Sequence, residues 1–92
     1  GVTRKQHGLI SIAGPATNFV LAIVFLVLIG FVNAGPFWAR LFQYGAYINV
    51  WLGIFNMIPF GPLDGKKIFA WNKFVWGVGL FVGIVLFKLA MF

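Results

Sequence analysis

Ile10-Ser11-Ile12-Ala13-Gly14-Pro15-Ala16-Thr17-Asn18-Phe19-Val20-Leu21-Ala22-Ile23-Val24-Phe25-Leu26-Val27-Leu28-Ile29-Gly30-Phe31-Val32 is a run of 23 residues without a formal charge. A bilayer core of about 30 Å needs about 20 mostly apolar residues in helix, so this stretch predicts a membrane-spanning helix. A basic start followed by apolar residues also describes a secretory signal. The run is too long for a signal's apolar region, however, and Gly14-Pro15 falls near its beginning. Two more runs follow: Phe37 to Ile58 with Arg40 near its start, and Phe74 to Phe92 with Lys88 near its end. Long basic side chains near a helix end lift their heads to the interface, so neither charge breaks the pattern. The expected fold is all-α: a polytopic membrane protein, one domain over residues 1–92, with three transmembrane helices at about 10–32, 37–58 and 74–92 in an antiparallel bundle.

Composition excludes the common alternative. The 92 residues are 62% hydrophobic, 20% aromatic and only 9% charged, against about a quarter charged in a soluble domain. There is too little polar surface here to cover a water-facing core. Seven Lys and Arg against one acid give a net charge of +6, which in a polar chain would suggest nucleic acid. Here the basic residues flank apolar runs and form no groove-sized patch, so no nucleic-acid partner is expected. With no Cys, thiol chemistry and disulfides are excluded.

The breaks between runs follow from residue chemistry. Asn33-Ala34-Gly35-Pro36 reads as a tight turn, because Gly accepts positive φ and Pro suits the first turn of a helix. Pro59, Gly61, Pro62 and Gly65 interrupt the chain after the second run. Ile58 and Gly61 precede prolines and are expected to be extended. Asn72 is a candidate N-cap for the third helix. Arg4, Lys5, Lys66, Lys67 and Lys73 fall on one side of the expected membrane, against Arg40 and Lys88 on the other. This five-to-two asymmetry predicts a multi-pass protein of the cell membrane with its N-terminus and its Pro-rich 59–73 loop cytosolic. Trp71 and Trp76 would then belong to a cytosolic aromatic belt and Trp38 to the far one.

Polar residues inside the apolar runs narrow the chemistry. Gly14, Asn18 and Ala22 share a face of the first helix, and Gly45, Asn49, Gly53 and Asn56 roughly share one of the second. Gly79 and Gly83 form a small-residue pair on the third. Such faces allow close helix approach, with Asn18, Asn49 and Asn56 available for hydrogen bonds between helices worth about 0.6 kcal/mol each. Asp64 is the only acid. It is either an exposed cap or ion-pair partner of Lys66 and Lys67, worth at most about 1 kcal/mol, or a carboxylate turned into a cavity. Irregular backbone at membrane depth is tolerated only where protein or a water-filled cavity satisfies it, and a metal ligand needs such a setting. His7, the only imidazole, reads as solvated. One Asp and one distant His do not complete the three protein ligands of catalytic zinc, and Thr3, Ser11 and Thr17 have no partner triad.

Asn56-Met57-Ile58-Pro59-Phe60-Gly61-Pro62-Leu63-Asp64-Gly65 resembles the Asn-x-x-Pro-x-x-Pro-x-Asp-Gly motif of the site-2 proteases, a family of intramembrane zinc metalloproteases. Gly8 to Asn18 is similar to that family's Ala-Gly-Pro-x-x-Asn signature, with Gly14, Pro15 and Asn18 at the matching positions. The two motifs stand in the family's order on consecutive runs, and the likeness extends from about Thr3 to about Trp76. It implies that Asp64 is the third zinc ligand, beside two His of an upstream helix. It implies that Asn18 faces the site and can donate to the developing oxyanion. Asn56, Pro59 and Pro62 would shape the break that carries Asp64 inward, and Gly65 would permit the close turn after it. Zinc would lower the pKa of its water and polarise the scissile carbonyl.

The family's HExxH helix, whose Glu activates water, has no counterpart in this chain. The expectation is therefore a C-terminal membrane portion of a zinc metalloprotease, inactive alone and beginning after that helix. Its partners would be the lipid bilayer, the upstream HExxH helix and a membrane-protein substrate helix that unwinds locally to expose its carbonyls. The alternative is a degenerate, non-catalytic membrane protein that binds partner helices through its Gly and Asn faces.

Overall fold

A computed structural model describes residues 3–91; Phe92, where the third helix was expected to end, and the Arg4 side chain used in the charge count lie outside the described residues. Among the described residues four helices follow one another rather than three: α1 (Arg4–Phe31), α2 (Pro36–Asn56), α3 (Asp64–Trp71) and α4 (Lys73–Ala90).

α1 starts six residues before the apolar run because Thr3 and Gln6 form a reciprocal cap. The Thr3 hydroxyl accepts from the Gln6 N–H at 3.1 Å, and the Gln6 side chain accepts from the Thr3 N–H at 2.9 Å. This satisfies two N-terminal donors that would otherwise be orphaned. The helix continues through Pro15, which is fully buried. Proline has no N–H, so the Ser11 carbonyl receives no bond from position 15. After α1, Gly35 takes φ 99° and Pro36 opens α2, as the turn chemistry predicted. Asn72 caps α4 by accepting from the N–H groups of Phe74 and Val75 at 3.0 and 3.1 Å.

Between α2 and α4 the expected loop contains α3. Lys66 and Lys67 are therefore helical and exposed, while Gly65 and Ile68 form the buried side of the same short helix. Gly61 takes φ 60°, not the extended conformation expected before proline. The restriction on the preceding residue arises largely from its Cβ, which glycine lacks, so the left-handed region stays open.

Contacts pair Phe25 with Gly45 and Phe19 with Gly53, so α1 and α2 run in opposite directions. Met57 against Gly79, Ile54 against Gly83 and Tyr47 against Phe87 give the same sense for α2 and α4. Trp71 over Gly8 and Asp64 at Gly14 make α3 antiparallel to the first half of α1. Phe19 is the central side chain, reaching both Gly53 and Gly83 and so joining three helices.

Among the described residues two helices are long and apolar enough to cross a membrane, Lys5–Phe31 and Lys73–Ala90. α2 covers nearly all of its predicted range but does not join them, since it mixes Arg40, Gln43, Asn49 and Asn56 into its apolar sequence.

Candidate functional site

The convergence of the two sequence motifs defines the site. Asp64 is the first residue of α3, half-buried, and its carboxylate rests on the backbone of Gly14 in α1. A Cβ on Gly14 would lie 2.6 Å from Oδ2 of Asp64, so the missing side chain is the space the carboxylate occupies. Asp64 is not a cap: Leu63 holds that position, without a side-chain cap bond. Nor does Asp64 form an ion pair with Lys66 or Lys67, both of which point to solvent. The positive end of α3 favours a negative charge at its first residue, by about 0.3–1 kcal/mol.

The bend that delivers Asp64 closes on itself. Gly65 lies against the backbone of Met57 and the carbonyl of Ile58, and a Cβ there would collide with main chain. The end of α2 and the start of α3 are therefore packed backbone to backbone, with Pro59, Phe60, Gly61 and Pro62 looping out between them. Met57 itself is only 1% exposed, and Phe60 projects outward.

The remaining predicted residues take the following places. Asn18 lies one turn beyond Gly14, and its amide donates to the Gly14 carbonyl at 3.4 Å. Asn49 likewise bonds back to Gly45 at 2.8 Å. The bonds expected between helices are thus local ones within a helix, because a carbonyl four residues back is always within reach of a short amide. Asn56 is half-buried at the end of α2 and makes no side-chain hydrogen bond among the described residues. Pro15 packs in the interior beside Gly14, whereas His7 is exposed, in a cleft lined by Ile10, Ser11 and Lys67. His7 stands seven residues from Gly14, about 10 Å of helix rise.

One residue had no signal as part of the site. Trp76, expected in an aromatic belt, donates its indole N–H to the Met57 carbonyl at 2.7 Å. Its partner is 19 residues distant, so no local pattern announces the bond. Trp71, assigned to the same belt, packs on Gly8.

A carboxylate oxygen is a suitable zinc donor, and Asp64 is half-buried with no ion pair to it among the described residues. It is one donor only: no group of three His, Cys, Asp or Glu occurs among the described residues. This one donor is of a kind that zinc accepts.

Comparison with known proteins gives the same direction. The family model described as Peptidase family M50 matches residues 31–79, which include Asp64 and the whole bend. The chain is 40% identical over 92 residues to the Methanocaldococcus jannaschii protein "Putative zinc metalloprotease MJ0611", an alignment covering 96% of this chain and 47% of that protein. It is 37% identical over 59 residues to "Zinc metalloprotease MJ0392" of the same organism, covering 64% of this chain and 17% of that protein. The chain thus spans about half the length of the first of these relatives and less of the second. No solved structure matches it.

Proposed function

The chain belongs to peptidase family M50, the family of the site-2 proteases, and from that premise we propose that it is the part of an intramembrane zinc metalloprotease that supplies the Asp ligand. The observation that carries this reading is the carboxylate of Asp64 seated on Gly14, where the two family motifs meet. Two His would come from an HExxH helix docked on the α1–α3 face. When bound, zinc supplies a Lewis acid that activates water for attack on a peptide carbonyl. Asp64 would hold one position of the metal, and Gly14 leaves room for its carboxylate. Asn18, one turn along the same face, would have to release its long 3.4 Å bond to Gly14 to donate to the oxyanion of the substrate.

The reaction would lie within the membrane. Gly14 sits about 6 Å of helix rise past Ile10, the start of the apolar run, so Asp64 would lie just inside the membrane. The exposed apolar residues of α1 and α4, among them Val20, Ile23, Phe81 and Ile84, need lipid rather than water around them. We take α2 to cross as well, giving a multi-pass protein of the cell membrane with Lys5, Lys66, Lys67 and Lys73 cytosolic. The chain has no Cys, so single cysteines near Lys66 and Arg40 report this directly. Labelling of the first from the cytosolic side and the second from outside is expected, and the reverse pattern would refute the orientation.

The proteolytic role is tested by Asp64→Asn in the full-length protein. Zinc content and cleavage of a membrane substrate should both fall to background while insertion is unchanged. Full cleavage by that variant would remove the ligand role. The 92 residues expressed alone should cleave nothing.

A further inference from the structure

We propose that Trp76 is a positioning residue that sets Asp64 for its metal, an inference that rests on the ligand reading above. The backbone of Met57 touches Gly65, the residue after Asp64, so the two ends of the bend share one fixed point. Trp76 holds that point. Its indole N–H donates to the Met57 carbonyl at 2.7 Å, a side-chain hydrogen bond that joins α4 to the end of α2. The same indole meets the Phe69 ring edge to face, with centroids 5.1 Å apart and planes at 87°. Phe69 lies five residues after Asp64 in α3, and Lys73 Nζ stands 5.4 Å from the centroid of its ring. One side chain from α4 therefore grips both the end of α2 and the body of α3, the two supports between which Asp64 is slung. The Met57 side chain adds a third contact, its Cε fitting against Gly79 one turn beyond Trp76.

A donor held at both ends of its bend offers the metal a preset oxygen. Releasing the Met57 carbonyl lets the Met57–Gly65 contact slide and Asp64 swing on Gly14. Removing a group bonded directly to a metal ligand typically changes metal affinity about 10- to 100-fold, and Trp76 reaches Asp64 through the Met57–Gly65 contact.

The experiment uses the full-length protein, with zinc affinity read by competition against a chelator and the visible spectrum of the cobalt(II) form read at saturation. Trp76→Phe keeps a ring against Phe69 but lacks the donor. An isostere of tryptophan at position 76, with sulfur in place of the N–H, keeps the shape and removes only the hydrogen bond. Both are expected to bind zinc about 10- to 100-fold more weakly. Both should also alter the cobalt spectrum at full occupancy, which mere loss of stability would not do. Wild-type affinity and spectrum in the isostere would overturn the proposal. Asp64→Asn serves as the reference: weakened zinc in it with an unaffected isostere ends the Trp76 role alone, whereas unaffected zinc in Asp64→Asn ends the ligand reading and this inference with it.

Discussion

Gly14 and Asp64 carry the account at the level of single residues. In water a helical glycine costs about 1 kcal/mol relative to alanine, and in a membrane helix glycine serves where another group must approach closely. Its presence here is explained by the carboxylate that fills the place of its side chain. Gly14→Ala therefore separates stability from function. Helix propensity favours the variant, while its methyl group would lie 2.6 Å from Oδ2 and push the carboxylate aside. The melting temperature should hold or rise, and zinc affinity in the full-length protein should drop by at least about tenfold. Unchanged zinc affinity would show that the contact with Gly14 has no bearing on the metal. The pairing was legible in part: both motifs stood out, and Asp64 was the only acid, but their contact depends on α3 folding back along α1. The local bonds of Asn18 and Asn49 were not legible, since an amide's choice between its own helix and a neighbour is set by packing that no spacing reveals.

The elements were read unevenly, for reasons that can be named. The turn at Gly35-Pro36 and the cap at Asn72 depend on local backbone chemistry, which the sequence displays. α3 was hidden because eight residues are too few for helical periodicity to emerge and because the prolines and lysines around it read as loop. The start of α1 is set by the Thr3–Gln6 cap, whose Thr-x-x-Gln spacing lies upstream of the apolar run and so adds about a turn and a half that hydropathy does not mark. Asn72 also marks the junction of α3 and α4, since its own N–H bonds to the Ile68 carbonyl at 2.8 Å. Asn72→Ala removes the acceptor for two N–H groups at the start of α4 and should destabilise the protein by about 1 kcal/mol. Thermal or denaturant unfolding in detergent checks this. A loss below a few tenths of a kcal/mol would mean that water replaces the cap without penalty.

At the scale of the molecule, the described residues form an elongated body of 50 × 22 × 19 Å, with the Asp64 carboxylate between α1 and α3 as its focus. Most of its outer surface is apolar side chain, in keeping with a bilayer as solvent. The focus offers one carboxylate where catalytic zinc requires three protein ligands, so the proposed function calls for two His from a segment docked at the α1–α3 face. α2 and α4 never touch the metal in this scheme. Their contribution is mechanical, passed to Asp64 through Met57 and Trp76. X-ray absorption at the zinc edge of the full-length protein, compared with its Asp64→Asn variant, tests the central claim most directly. The account predicts a shell of light nitrogen and oxygen donors at about 2.0–2.2 Å that loses an oxygen, or loses the metal altogether, in the variant. An identical zinc shell at identical occupancy in both proteins would contradict it.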